Sequence, residues 1–167
     1  MKPTPKILAS DIDGVLTDGT VWIDGNGNEL KRISFQDVDA LFDLHRSGFV
    51  LAFLTGEQGS WVEMVKKKLP HKYFYSGCRD KHTALMEVLR LENSQRENLC
   101  YIGDGLSDIS ALKLAGVAVV PANGILEAQT EADIVLKARG GHGALSELAR
   151  LLKNGKLPKR KRSRDAT

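Results

Sequence analysis

Two carboxylates two residues apart, Asp11 and Asp13, follow the apolar run Ile7-Leu8-Ala9 and open the segment Asp11-Ile12-Asp13-Gly14-Val15-Leu16-Thr17-Asp18. Where a strand ends, positions i and i+2 point the same way, so the pair is expected to share one small site. Like charges held that close repel unless a cation lies between them or one keeps its proton. Both outcomes suit phosphoryl transfer. A metal-held Asp11 can attack phosphorus as a carboxylate nucleophile, while a proton-bearing Asp13 can protonate the leaving oxygen and later activate water. Later positions supply what that chemistry requires. Thr55-Gly56 offers a hydroxyl and backbone N–H groups to a phosphate oxygen, and Lys81 an ammonium to balance nucleophile and phosphate. Gly103-Asp104-Gly105-Leu106-Ser107-Asp108 adds two acids, on a sharply turning backbone, that can face the same cation.

These groups need a frame that gathers strand ends. Short β-type runs near 6–11, 49–54, 72–75, 98–102, 116–120 and 133–135 alternate with helical patterns near 37–47, 58–69, 81–91, 107–115, 123–130 and 142–153. That alternation predicts the α/β class, a doubly wound parallel sheet between two layers of helices. Such sheets collect ligands along the carboxyl ends of their strands, where Asp11, Thr55 and Asp104 fall. Trp61, Val62, Val65 and Leu69 recur at helical spacing and read as core. One segment breaks the pattern: residues 20–35, with the turn formers Asp24-Gly25-Asn26-Gly27-Asn28 at the centre, read as an inserted β-hairpin. A lone hairpin is marginal in water and leaves Val21, Trp22, Ile23 and Ile33 with nothing to pack on, so it is expected to meet a partner chain.

A chain of 167 residues is about one domain, taken as residues 1–153, and can bury a core without disulfides. Cys78 and Cys100 are expected to be reduced, which points to the cytoplasm, and no apolar stretch reaches membrane length. The net charge of +3 hides an asymmetry: residues 153–167 hold seven Lys or Arg and one Asp, which leaves the rest at −3. Residues 154–167 are expected to form a disordered basic tail; without interleaved aromatics it gives no case for a nucleic-acid partner. Asp18 and Asp24 read as turn residues, and His45, His71, His82 and His142 lack metal-ligand spacing.

The order of DxDGVLTDG (Asp11 to Gly19), strand-Thr55-Gly56, the lone Lys81 and GDGxxD (Gly103 to Asp108) resembles the haloacid dehalogenase superfamily of aspartate-nucleophile phosphatases, over residues 6 to about 120. The resemblance implies a three-layer HAD-like Rossmannoid fold without a cap domain, for which the stretches after Asp13 and Thr55 are too short. The hairpin, Lys31 followed six residues later by Asp37, and Arg139-Gly140-Gly141-His142-Gly143-Ala144 look like the capless branch acting on 2-keto-3-deoxy sugar acid phosphates. Carried over by position, it implies Asp11 as nucleophile, Asp13 as acid/base, and Thr55, Gly56 and Lys81 as phosphate binders. It further implies Mg2+ held by Asp11, the Asp13 carbonyl and Asp104 with Asp108 in support, and a homotetramer joined through the hairpins.

Glu57 stands where the octulosonate enzymes of that branch usually carry Arg, and Lys68 where the nine-carbon group has a basic residue. The resemblance therefore implies a nine-carbon 9-phosphate, of the KDN or N-acylneuraminate kind, ahead of 3-deoxy-D-manno-octulosonate 8-phosphate. Asp37 and Arg139 join Glu57 and Lys68 as specificity residues, while Ile33, Ala40 and Ser146 depart from the branch's pattern. Two readings of other classes compete. A receiver-type phosphoacceptor would carry its acid on a middle strand rather than the first, and a catalytically idle assembly domain would not need Asp11, Asp13, Lys81 and Asp104 intact.

Overall fold

The chain begins in the middle of its sheet. In the computed structural model, which describes residues 5–157, β1 (Ile7–Ser10) is followed by a hairpin of β2 (Trp22–Ile23) and β3 (Glu29–Leu30). Then come α1 (Phe35–Arg46), β4 (Val50–Leu54), α2 (Ser60–Lys68), β5 (Tyr73–Tyr75), α3 (Lys81–Leu91) and β6 (Leu99–Ile102). The last third holds α4 (Ile109–Leu114), β7 (Val117–Val120), α5 (Leu126–Glu131), β8 (Ile134–Val135) and α6 (Ala144–Lys153). Six strands pair in parallel in the order β5-β4-β1-β6-β7-β8. Succession runs outward from β1 to β5, then returns through α3 to β6 beside β1. The reversal opens a crevice between the carboxyl ends of β1 and β6.

Both faces of each central strand are covered. Leu8, Leu51, Phe53, Cys100, Ile102 and Val119 enter one apolar layer with residues of α1, α2 and α6. Their alternates Ile7, Ala9, Ala52, Leu54, Leu99, Tyr101, Ala118 and Val120 enter a second, with residues of α3, α4 and α5. The period-2 alternation thus separates two cores rather than core from solvent, as a sheet sandwiched between helices demands. The expected α/β three-layer architecture is the one found, with each expected strand in place.

Element ends differ for local reasons. The hairpin pairs only two residues on each side, Trp22 with Leu30 and Ile23 with Glu29, and no third strand among the described residues joins its edges. Its turn is held by Asp24, whose Oδ1 accepts from the N–H groups of Asn26 and Asn28. A helix expected from 107 starts instead as a 3-10 turn, Leu106–Asp108, because the Asp108 carboxylate folds back onto the N–H groups of Asp104 and Gly105. Similarly α6 starts at Ala144 rather than 142, behind Gly141 and Gly143 at positive φ. Of the predicted tail, residues 158–167 lie outside the described residues. Among the described residues no helix is long and apolar enough to cross a membrane.

Candidate active site

Asp11 is the first residue past β1, and its N–H still donates to the Ile102 carbonyl of β6, which fixes it at the crevice. The chain then leaves extended geometry. The carbonyl of Ile12 accepts from the N–H groups of Val15, Leu16 and Thr17, so residues 12–17 form a tight turn. Asp11 and Asp13 consequently do not lie on one face of a continuing strand, which corrects the premise of the i, i+2 argument. Asp11 is buried, with Oδ1 accepting from the N–H of Ile12 at 2.7 Å and Oδ2 2.9 Å from the Lys81 Nζ. Asp13 instead meets Lys31 of the hairpin, whose Nζ lies 2.8 Å from its Oδ1, while its buried Oδ2 has no hydrogen-bond partner among the described residues.

Lys81 opens α3 behind the capping carboxylate of Asp80, which accepts from the Thr83 N–H. Its ammonium is buried between Asp11 and Asp108, 2.7 Å from the latter's Oδ1. Asp108 is fully enclosed. Its Oδ1 also accepts from the Tyr101 hydroxyl, and its Oδ2 accepts at 2.9 Å from the N–H groups of both Asp104 and Gly105. With four donors on two oxygens this carboxylate has little left for a metal; it anchors Lys81 and shapes the loop that presents Asp104. Sequence spacing missed this because a helix-opening acid and a ligand look alike.

Burial, reinforced by the charge of Asp108, pushes the Asp11 carboxyl up to about 8 in spite of Lys81. Burial and Asp108 likewise raise Asp104 to about 6. Burial works against ionisation of Asp108 too, but Lys81 and the hydrogen-bond donors outweigh it and hold the group below the usual carboxylate range. Lys81 is disfavoured as a cation by burial, yet Asp11 and Asp108 raise it above an ordinary lysine. A pocket in which Asp11 and Asp104 both resist ionisation lacks positive charge. Oxygens of Asp11, Asp104 and Asp108 lie within 4.8 Å of one another, and a Cβ at Gly14 would fall 1.9 Å from Asp104 Oδ2. That acid-rich, hard-oxygen cluster fits a divalent cation, which Asp11 and Asp104 could hold at the mouth of the turn.

The side expected to face phosphate is built from β4. Thr55 continues that strand's pairing by donating its N–H to the Tyr75 carbonyl, and its Oγ1 accepts from the Glu57 N–H at 3.1 Å. Its hydroxyl hydrogen is thereby left to donate elsewhere. Gly56 is exposed beside it, with no side chain to obstruct its N–H.

The expected specificity residues fare unequally. Asp37 is a correction: it is fully buried and accepts from the N–H groups of Gly143 at 3.0 Å and Ser146 at 2.9 Å, so it caps the N-terminus of α6. Glu57 and Arg139 are exposed, and Lys68 is exposed with its Nζ 5.3 Å from the Phe35 ring centroid. No described hydrogen bond or ion pair ties these three side chains to the carboxylate cluster. Two supporting residues escaped the sequence reading. Tyr101 looked like plain strand core, and Asn123 lay in a stretch read as the start of a helix. Asn123 in fact donates to the Gly14 carbonyl at 2.9 Å and accepts from the Gly140 N–H. A Cβ on Gly140 would come within 1.9 Å of the Gly14 carbonyl oxygen, which explains the glycine there.

Comparison with known proteins agrees with this geometry. Residues 74–148 match the family of haloacid dehalogenase-like hydrolases. The 3-deoxy-D-manno-octulosonate 8-phosphate phosphatase KdsC of Escherichia coli is 32% identical over 158 residues, 93% of this chain and 84% of the relative. A crystal structure of the phosphatase of that name from Moraxella catarrhalis, in complex with a magnesium ion, a phosphate ion and a KDO molecule, superposes with a TM-score of 0.85 at 32% identity, covering 90% of this chain and 86% of that one. The cobalt-bound form of the Haemophilus influenzae enzyme gives 0.86 at 27% identity over 92% and 90%. These relatives are named for the eight-carbon substrate and lend the nine-carbon preference no support. Sheet order, acid cluster and relatives converge, and the chain belongs to the haloacid dehalogenase-like hydrolases, as a phosphatase of that family.

Proposed function

We propose that the chain is a magnesium-dependent phosphomonoesterase working through an aspartyl-phosphate on Asp11, with a 2-keto-3-deoxy sugar acid phosphate of the octulosonate 8-phosphate type as substrate. The observation that carries the mechanism is the buried Lys81 between Asp11 and Asp108, with Asp104 beside them at the sheet's switch point. The substrate class rests on the relatives' names. A second reading, a nine-carbon 9-phosphate, draws on Glu57, an exposed carboxylate beside Thr55 that can accept from sugar hydroxyls.

The cofactor is magnesium, with Asp11, the Asp13 carbonyl and Asp104 as holders; bound there it supplies charge neutralisation for the carboxylates and the phosphate. The chain's own residues then divide the work. Thr55, the Gly56 N–H and Lys81 bind the phosphate oxygens and orient phosphorus toward Asp11. An Asp11 oxygen bonds to phosphorus as the bond to the leaving oxygen breaks, and Asp13 gives that oxygen its proton to release the sugar alcohol. In the second half, Asp13 as carboxylate takes a proton from water, whose oxygen attacks phosphorus. The bond to Asp11 breaks, inorganic phosphate departs, and Asp11 returns as a carboxylate with Asp13 protonated again.

We take residues 1–153 as the catalytic domain, working in the cytoplasm as a homotetramer. Two unpaired cysteines, Cys100 buried, support the compartment. For the assembly, Trp22 at 74%, Ile23 at 64% and Leu30 at 65% exposure leave an apolar hairpin tip bare. The test is phosphate release with magnesium from octulosonate 8-phosphate and from a nine-carbon 9-phosphate, for the wild type and for Asp11→Asn and Asp13→Asn. The eight-carbon substrate should be preferred, and both variants should fall at least ~100-fold. Survival of more than about a hundredth of the rate in either variant overturns its assigned role.

A further inference from the structure

The hairpin is exposed almost throughout, yet one of its side chains is not. Lys31 follows β3 directly; its neighbour Leu30 is 65% exposed, whereas the Lys31 side chain keeps only 9% of its accessible area. A lysine normally leaves its ammonium in water, since desolvating it unpaired is costly. Here the stem turns inward, past the first turn of α2, and the Nζ stops 4.8 Å from the Trp61 ring centroid and 2.8 Å from Asp13 Oδ1. Trp61, expected from spacing to be plain core, also forms the wall along which this ammonium is aimed.

The consequence lies in the two oxygens of Asp13. Oδ1 has the ammonium, while Oδ2 is buried and has no donor among the described residues. A carboxyl with one oxygen accepting from a fixed cation is confined in its orientation. We infer that Lys31 is a positioning residue for the reaction: by holding Oδ1 against the hairpin it fixes the orientation in which the Asp13 carboxyl meets the leaving oxygen. The inference rests on Asp13 being the acid of the proposed mechanism. It does not require Lys31 to touch phosphate or sugar. In the first half-reaction an Asp11 oxygen bonds to phosphorus as the phosphorus–oxygen bond of the ester breaks; the electron pair stays on the leaving oxygen, and the proton of the Asp13 carboxyl moves to that oxygen, leaving Asp13 as the carboxylate paired with Lys31.

A tether that only pinned the hairpin would slow all substrates alike. A positioner of the acid matters in proportion to how much the leaving group needs a proton. The experiment compares phenyl phosphate, whose phenolate is a strong base, with 4-nitrophenyl phosphate, whose leaving group departs unaided, in the full chain with magnesium. The reading is kcat/KM, which reports steps up to loss of the leaving group. Lys31→Met keeps length and apolar contact with Trp61 but removes the ammonium. It should lower kcat/KM at least tenfold on phenyl phosphate and less than about threefold on 4-nitrophenyl phosphate, and Lys31→Arg should recover most of the loss. Equal losses on both substrates, or no loss, overturn the inference. Lys31→Gln is the second variant should the methionine protein not fold. Asp13→Asn, run in parallel, separates the two levels. If it too fails to discriminate between the leaving groups, the acid assignment falls; if it discriminates and Lys31→Met does not, only the positioning role falls.

Discussion

Asp108 is the residue at which geometry and sequence pattern pull furthest apart, and replacing it distinguishes a ligand from an anchor. Asp108→Ala would strip four donors at once: the Lys81 Nζ at 2.7 Å, the Tyr101 hydroxyl, and the N–H groups of Asp104 and Gly105 at 2.9 Å. All sit in or beside a site that Asp108 itself closes at 0% exposure. Removing one partner of a buried ion pair costs about 3–5 kcal/mol, and each orphaned buried donor adds about 1–3 kcal/mol less whatever water restores. Against a total stability of about 5–15 kcal/mol that is severe. At about 2–4 °C per kcal/mol for a chain of this size, the ion pair alone should lower Tm by roughly 6–20 °C. The assay is thermal unfolding followed by circular dichroism, with and without magnesium.

An anchor loses the same Tm in both conditions and keeps most of the magnesium-induced gain. Asp104→Ala should behave in the opposite way, with little change in the metal-free Tm and loss of the gain, because burial and Asp108 already disfavour its charged form. If Asp108→Ala left the metal-free Tm within about 2 °C of the wild type and abolished the magnesium gain, the reasoning would be refuted and Asp108 would be a ligand after all.

Gly14→Ala places a methyl 1.9 Å from Asp104 Oδ2 at φ +84, so it should weaken magnesium binding at least tenfold while costing a few kcal/mol of stability; isothermal titration with magnesium checks it. The raised carboxyls set a pH dependence: above about 4 the unfolded chain releases protons that folded, metal-free Asp11 and Asp104 hold up to about 8 and about 6. Stability of the metal-free protein should therefore fall between those limits as pH rises, by up to ~1.4 kcal/mol per pH unit per group, and the Tm gain on adding magnesium should grow from about pH 5 to about pH 8. A gain that is flat or shrinks with pH counts against a cation on Asp11 and Asp104.

The strands and the chemistry-bearing strand ends were legible because their signals are local: apolar runs bounded by turn residues, and acids or Thr-Gly at their ends. What stayed hidden depends on contacts over long separations. Asp37 reads as a first-turn acid of its own helix, and nothing near it in sequence tells that its carboxylate reaches residues 143 and 146 to cap a different one. Lys31 stands 18 positions from Asp13, and Asn123 stands 109 from Gly14; only the folded crevice brings each pair together. Tyr101 alternates faithfully with core residues, so its hydroxyl's task at Asp108 leaves no trace in periodicity. Even Asp11 and Asp13 were placed in one site for an incomplete reason, since the strand stops at Ser10 and a turn carries the second acid.

That turn matters for what two neighbouring acids can do. The proposed nucleophile must be ionised and the proposed acid protonated at the start of the same reaction, so their surroundings must differ though a single residue separates them in the chain. The surroundings do differ: Asp11 is buried against Lys81 of α3, whereas the Asp13 side chain is partly exposed and meets Lys31 of the hairpin. The metal cluster itself holds three carboxylates, Asp11, Asp104 and Asp108, against one ammonium, that of Lys81, which leaves two negative charges at the crevice. Lys81 alone does not keep Asp11 ionised, since without further charge its carboxyl sits at about 8. A second lysine there would leave one charge uncompensated and, tied to a carboxylate, would offer no open position to an incoming phosphate oxygen. A divalent cation meets the whole deficit and retains exchangeable positions, so the deficit of two is the electrostatic reason for a metal at this site rather than another basic side chain.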